Sequence, residues 1–364
     1  MNIELDILPV KSWLPKIDNP LLIAGPCSLE TEEQTLSTAR ELAKDKRVFV
    51  YRGGVWKPRT RPGSFEGVGS IGLEWLKRVK EETGLPVGTE VANAQHAEEC
   101  LKAGVDVLWI GARSTGSPFV VQEIADVLKG TDSVVAVKNP MNPDLSLWMG
   151  ALERLNRVGI KKLVGIHRGF SPFQETKYRN YPNWKTYIEL RRSMPNLPII
   201  CDPSHIAGKR EYLYEISQKA FDMGFDGLII ESHIDPSCAL SDKEQQLTPS
   251  DLAKMLDKLV IRNQHSNNLE FGTQLDQLRS RIDALDTELI EILSARSEIV
   301  KQIAMYKKNN NVMALQIDRW TRMMNSRVDL GNKMNIDPVF IKILFQLIHE
   351  DSVRMQTELI DSED

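Results

Sequence analysis

Within its first two thirds the chain repeats one pattern eight times: a short β-branched apolar run that stops abruptly at a charged or metal-capable residue. The runs are LLIAGPCS (21–28), RVFVYRGG (47–54), PVGTEVA (86–92), VLWIGAR (107–113), SVVAVKNP (133–140), KLVGIHRG (162–169), PIICDPSH (198–205) and DGLIIESH (226–233). Continuous Val/Ile/Leu runs bounded by Gly and Pro read as strands buried on both faces. The stretches between them (31–43, 71–82, 94–103, 118–128, 145–158, 184–192, 209–223 and 249–261) read as amphipathic helices. Eight such units in roughly 250 residues close into a parallel (β/α)8 barrel. Because the polar residues stand at the C-terminal ends of the strands, they gather on the one face where such barrels do chemistry.

At 364 residues the chain exceeds one comfortable core. The organisation read from the sequence is a barrel domain over 1–262, a polar linker over 263–268 and an all-helical domain over 269–364. The first twenty residues predict a short strand or lid over LDILPV (5–10) and leave no room for a separate regulatory domain. A formal charge of -4 and a pI near 6.0 argue against nucleic acid or an anionic membrane as the main partner. No apolar run reaches the roughly 18 residues of a membrane span, and the N-terminus lacks the order of a signal peptide, which points to a cytoplasmic protein. Four cysteines without a CxxC do not make a disulfide framework.

Cys27, His205, Glu231 and Asp242 are soft and hard donors from four separate loops, the kind that bind a divalent transition metal. Beside them stand Arg52, Lys57, Arg59, Arg113, Lys138 and Arg168, a density of cation that calls for an anionic ligand. A substrate with a carboxylate and one or two phosphates is implied. The loop KPRTRPGSFEG (57–67) is too long and basic for an ordinary strand-to-helix connection and is expected to serve that ligand.

In order, GPCS, RGG followed by KPRT, IGAR, VK, HRG, DPSH, ESH and LSD resemble the 3-deoxy-D-arabino-heptulosonate 7-phosphate synthases of the type I beta, octulosonate-synthase-like group. The resemblance spans residues 21 to about 261 and implies a TIM barrel. It implies that Cys27, His205, Glu231 and Asp242 bind a divalent ion, with Mn2+ expected although this donor set accepts several. Arg52, Arg113, Lys138 and Arg168 would hold phosphoenolpyruvate, and Lys57, Arg59 and Thr60 would position erythrose 4-phosphate. Lys138 and Glu90 would orient or deprotonate the water that adds to phosphoenolpyruvate, while Asp202 orients a basic or metal-binding neighbour. KPRT at 57–60 favours the heptulosonate reaction; the alternative is an octulosonate 8-phosphate synthase acting on arabinose 5-phosphate.

After the linker the strand pattern ends. Residues 269–308 carry apolar side chains at helical period without an internal proline, predicting one helix of roughly 60 Å. Two further helices follow over 315–332 and 338–360. Arg296 and Lys307 are eleven residues apart, about 20° in phase, so both point to one side. Ser352 and Gln356 share a face of the third helix. Arg279 lies seventeen residues before Arg296, about 25 Å away along the axis.

LRSRIDALD (278–286), Arg296, Lys307, Asp318 with Arg319, and FQLIHEDSVRMQ (345–356) resemble the all-helical chorismate mutases. The resemblance implies a homodimer in which each site takes Arg279 from the partner chain. Arg279, Arg296 and Arg319 would bind carboxylates or order the pocket, and Lys307 with Gln356 would face the ether oxygen. Gln316 and Trp320 depart from the family, whose well-known members carry Asp and Glu there against the substrate hydroxyl. Together the two resemblances imply a bifunctional enzyme that starts the shikimate pathway and acts again after its branch, with prephenate restraining the synthase. The alternative for the tail is a module that senses chorismate or prephenate without turnover.

Overall fold

The structure is a computed structural model that describes residues 4–14, 20–57, 63–172, 176–263 and 266–361. The eight apolar runs form eight strands: β1 (Leu21–Gly25), β2 (Val50–Arg52), β3 (Val87–Val91), β4 (Val107–Ile110), β5 (Val134–Lys138), β6 (Lys162–His167), β7 (Ile199–Cys201) and β8 (Gly227–Glu231). All pair in parallel and in chain order, and β1 closes on β8 from Leu21 opposite Gly227 to Gly25 opposite Glu231. This is the TIM barrel expected. The connecting helices start where the sequence offers caps: Thr31 accepts from Gln34 N, Asn93 from His96 N and Asp144 from Leu147 N.

Alternation along the strands divides the apolar residues into two cores. Leu21, Ile23, Val50, Val107, Trp109, Ala136, Val164, Ile166, Ile200 and Ile229 fill the barrel interior. Their strand neighbours Leu22, Tyr51, Leu108, Val135, Leu163, Ile199, Leu228 and Ile230 pack outward against the helices. Two residues beyond the last interior apolar position the same parity delivers Arg52 (from Val50), Lys138 (from Ala136), Arg168 (from Ile166), Asp202 (from Ile200) and Glu231 (from Ile229). The pleat that buries the core therefore also aims the polar strand ends at one another.

Two glycines make room at this end. A Cβ on Gly25 would lie 1.9 Å from the Arg52 carbonyl oxygen, and one on Gly111 would lie 2.3 Å from Glu90 Oε1. Neither position tolerates a side chain without moving a site residue.

The expected strand or lid over 5–10 is not a strand. Residues 4–9 are irregular, and a short helix, Val10–Trp13, follows Pro9. Val10, Trp13 and Leu14 pack against the interior cluster, so this segment covers the barrel end remote from the polar strand ends. Burial of those side chains, rather than strand pairing, is what fixes it.

Contacts divide the chain into two compact units, Met1–Gln264 and His265–Asp364. The second consists of helices Leu269–Asn309, Ile317–Lys333 and Pro338–Asp361. Asn268 caps the first by accepting from Phe271 N. Of the 41 residues of this long helix only Val300 and Ala304 are buried, while Leu278, Ile282, Leu285, Leu289 and Ile292 are each half or more exposed. Among the described residues nothing covers that stripe. No helix among the described residues is long and apolar enough to cross a membrane.

Candidate active sites

At the polar end of the barrel, donor atoms of Cys27, Glu231 and Asp242 lie within 4.8 Å of one another. Asp242 Oδ2 accepts from the Cys27 thiol at 3.2 Å. His205 Nε2 is 3.7 Å from Glu231 Oε1, and His205 Nδ1 is 2.8 Å from Asp202 Oδ2. Glu231 Oε1 is buried and accepts no hydrogen bond from the described residues, the Arg52 guanidinium standing 3.4 Å away. A buried carboxylate oxygen without a donor is costly unless a cation meets it. His205, the fourth predicted donor, stands beside Glu231 but outside the three-residue cluster; one sulfur and two carboxylates with an imidazole alongside fit a divalent ion, and the imidazole's other nitrogen faces Asp202. Burial and the Glu231 charge push the Cys27 thiol up to about 12. Burial opposes ionisation of Asp242, but Arg179, His205 and Lys57 outweigh it and hold that carboxyl far below its ordinary range.

Of the predicted cations, Arg52, Lys57, Lys138 and Arg168 converge on the same end. Arg52, 1 % exposed, donates to the Cys27 carbonyl at 3.0 Å and stands 3.4 Å from Glu231 Oε1. Lys57 donates to the Cys27 carbonyl at 3.1 Å and to its sulfur at 3.0 Å, which places it in the metal corner. Lys138 Nζ is 3.1 Å from Asp202 Oδ2. Glu90 Oε2 accepts from Trp109 Nε1 at 2.9 Å. Burial works against the Glu90 charge, yet Lys138 and Lys57 prevail and keep the carboxyl below its ordinary value. Arg168 is buried and donates to Asn180 Oδ1 at 3.0 Å. Burial brings its guanidinium down to about 10 despite the Asp202 charge, and Arg179 and Arg113 push in the same direction. A guanidinium this poorly compensated favours an incoming anion. Arg59 and Thr60 lie outside the described residues.

In the helical unit Arg296 Nη1 donates to Ser352 Oγ at 2.6 Å and Lys307 Nζ to Gln356 Oε1 at 2.9 Å. Four predicted residues therefore form one cluster on facing helices. Burial holds both cations below their ordinary values. Arg279 is exposed and pairs with Asp276 on its own helix, and Arg319 is exposed at the start of the middle helix, beside a groove lined by Gln316, Asp318 and Arg322.

Comparison with known proteins adds a separate line. The model of the DAHP synthetase I family matches residues 16–266, more than half of the chain. The chain belongs to that family. The DAHP synthetase I barrel is followed by a match to chorismate mutase type II over residues 278–357. The barrel is 32 % identical over 226 residues to a phospho-2-dehydro-3-deoxyheptonate aldolase of Thermotoga maritima, covering 62 % of this chain and 64 % of that protein. It is 28 % identical over 246 residues to a 2-dehydro-3-deoxyphosphooctonate aldolase of Nitratidesulfovibrio vulgaris, covering 61 % of this chain and 84 % of that one. The crystal structure of a Thermotoga maritima DAHP synthase superposes with a TM-score of 0.60 at 29 % identity, over 69 % of this chain and 75 % of that one.

Several polar residues of this DAHP synthetase I barrel were not singled out from the sequence. Arg179 donates to Asp242 Oδ1 at 3.0 Å and to Gln245 Oε1 at 2.8 Å, and Gln245 Nε2 donates to Glu231 Oε2 at 2.7 Å. Gln246 Oε1 accepts from Cys27 N at 2.9 Å. Trp109 lies 5.0 Å below the Arg52 guanidinium and 5.9 Å below Lys138 Nζ. Arg179 and the two glutamines sit in loops away from any strand end, so nothing local marks them. Trp109 carried a signal, as a tryptophan inside a buried strand.

Proposed function

We propose that the barrel condenses phosphoenolpyruvate with erythrose 4-phosphate to 3-deoxy-D-arabino-heptulosonate 7-phosphate and phosphate, and that the helical unit rearranges chorismate to prephenate. The observation that carries the first half is the meeting of Cys27, Glu231 and Asp242 within 4.8 Å, beside His205 and a ring of buried cations. Cys27, His205, Glu231 and Asp242 would hold a divalent ion, Mn2+ being the first to test. Bound there, the ion would supply Lewis acidity toward the aldehyde oxygen.

The chain's own residues do the rest. Arg52, Arg113 and Arg168 neutralise and orient the carboxylate and phosphate of phosphoenolpyruvate, as guanidinium geometry suits. Lys57, Arg59 and Thr60 position the sugar phosphate. C3 of the enol acid bonds to the aldehyde carbon, and water oxygen bonds to C2. The C2–O bond to phosphate then breaks, inorganic phosphate leaves, and the former aldehyde oxygen takes a proton. Glu90, kept ionised, accepts the proton of that water, and Lys138, fixed by Asp202, orients it. Asp202 likewise fixes the His205 ring.

The rearrangement needs no acid or base. It breaks the ether C–O bond while forming a C–C bond, and fixed donors lower the barrier. Lys307 and Gln356 face the ether oxygen, while Arg296, Arg319 and the partner's Arg279 hold carboxylates or order the pocket. The exposed position of Arg279, which pairs with Asp276 on its own helix, together with the exposed apolar stripe of the long helix, supports a homodimer. Joining both domain types in one chain supports inhibition of condensation by prephenate. Unchanged synthase rate and substrate affinity at saturating prephenate would remove that element. The absence of a membrane-crossing helix among the described residues fits work in the cytoplasm.

The deciding experiment is condensation assayed after chelation and after restoring Mn2+. Chelation should abolish condensation and spare chorismate turnover. A condensation rate indifferent to the chelator would end the metal assignment. Relatives that include octulosonate enzymes favour one second reading for the barrel, and a comparison of erythrose 4-phosphate with arabinose 5-phosphate separates the two.

A further inference from the structure

The helical site holds a buried polar atom that the rearrangement as described leaves unused. His349 stands on helix Pro338–Asp361 three residues before Ser352 and seven before Gln356, so all three share one face. Ser352 and Gln356 are already engaged by Arg296 and Lys307. His349 Nε2, by contrast, is shut off from solvent and has no hydrogen-bond partner among the described residues. The imidazole ring stands 6.4 Å from the Trp320 ring, tilted at 53°. A buried nitrogen left unpaired is a standing cost, which a ligand group that pairs with it removes.

The chemistry of the substrate decides which group that is. Chorismate offers two carboxylates, an ether oxygen and one ring hydroxyl. Arg296 and Lys307 match the anionic groups and the ether oxygen, where negative charge grows. Burial, with Arg296 and Lys307 nearby, holds the imidazole below its ordinary pKa, so at neutral pH the ring carries no charge. A neutral imidazole brings no charge to a carboxylate, and Arg296 and Lys307 already supply that charge here. The imidazole is well suited to a hydroxyl, which can donate to it or accept from it in either tautomer.

We propose that His349 determines substrate recognition in the helical site by binding the ring hydroxyl of chorismate through Nε2, beside Trp320. This assignment rests on the mutase reading above and goes beyond it by adding a residue and the substrate group it takes.

The test uses the full chain and two substrates, chorismate and its analogue lacking the ring hydroxyl. The wild type should prefer chorismate by about tenfold in kcat/KM, the range of one net hydrogen bond. His349→Leu should raise KM for chorismate by about tenfold while kcat stays nearly constant, because the contact exists before and during the reaction. It should leave kcat/KM for the deoxy analogue unchanged. His349→Gln, which keeps a donor and an acceptor, should recover part of the loss. Equal wild-type turnover of the two substrates, which requires no variant, would overturn the assignment. So would an equal loss with both substrates in His349→Leu when far-ultraviolet circular dichroism matches the wild type. Absence of chorismate turnover by the wild type would instead overturn the mutase reading, and this assignment with it.

Discussion

Nδ1 of His205 lies 2.8 Å from Oδ2 of Asp202, and the other ring nitrogen faces Glu231 Oε1 at 3.7 Å. Asp202 is wholly buried. Burial alone would favour its acid form, but His205 and Lys138 outweigh this and drive the carboxyl far below its ordinary range. One carboxylate therefore stands against both a candidate metal ligand and the buried Lys138. Asp202→Asn keeps the shape and removes the charge. We expect it to weaken metal affinity about 10- to 100-fold, as seen when such outer partners are lost. Condensation at saturating metal should also remain slower than wild type. Metal titration followed by a rate measurement separates the two effects, and an unchanged affinity would contradict the arrangement.

Arg179 tests the outer support of the same corner. It bridges Asp242 and Gln245, and Gln245 in turn holds Glu231. Arg179→Ala should lower metal affinity by about tenfold, with Arg179→Lys closer to wild type. Spectroscopic titration with Co2+, whose thiolate absorption reports the Cys27 bond, reads this without any assay of turnover.

Arg296 should separate the two activities. Arg296→Ala is expected to reduce chorismate turnover about 10²- to 10³-fold, the usual effect of removing one fixed donor from a pocket of this kind. Chelated protein should show the same loss. If Arg296→Ala turned over chorismate at the wild-type rate, the pocket would have been placed wrongly.

The exposed stripe of the long helix carries its own expectation. Paired substitutions Leu285→Asp and Leu289→Asp put charge on its half-exposed apolar face. Sedimentation should show a shift from dimer to monomer, and chorismate turnover should fall with it, because Arg279 would no longer reach a second chain's pocket. A monomer with full mutase activity would exclude the shared site.

His167 gives a pH dependence. It is wholly buried, donates to the Pro182 carbonyl at 2.5 Å and is brought from 6.5 to about 4 chiefly by burial. The unfolded chain binds this proton below about 6.5, whereas the folded barrel does not until about 4. Stability therefore falls as pH drops through that window, by at most ~3 kcal/mol. Denaturant unfolding followed by barrel tryptophan fluorescence at pH 7 and pH 5 should show the loss, and His167→Phe should flatten it.

Much of this was legible because one structural rule governs both core and site. The abrupt change from apolar to polar at each strand end marks where a buried strand meets the open face, and alternation from Val50, Ala136, Ile166, Ile200 and Ile229 aims the next polar residue inward. What escaped lies where no period operates. Arg179, Gln245 and Gln246 come from irregular loops and acquire meaning only through the carboxylates they touch. The helix Val10–Trp13 is a single turn, too short for periodicity, and the alternation of Leu5, Asp6, Ile7 and Leu8 imitated a strand. His349 lies inside FQLIHEDSVRMQ (345–356) and was not singled out there, since an unpaired buried nitrogen shows only once the helices are packed.

The packing of Val10, Trp13 and Leu14 under the interior side chains leaves the barrel a cup rather than a tube. Side chains close that end, and Arg52 and Lys138 stand over Trp109 on the side of the polar strand ends.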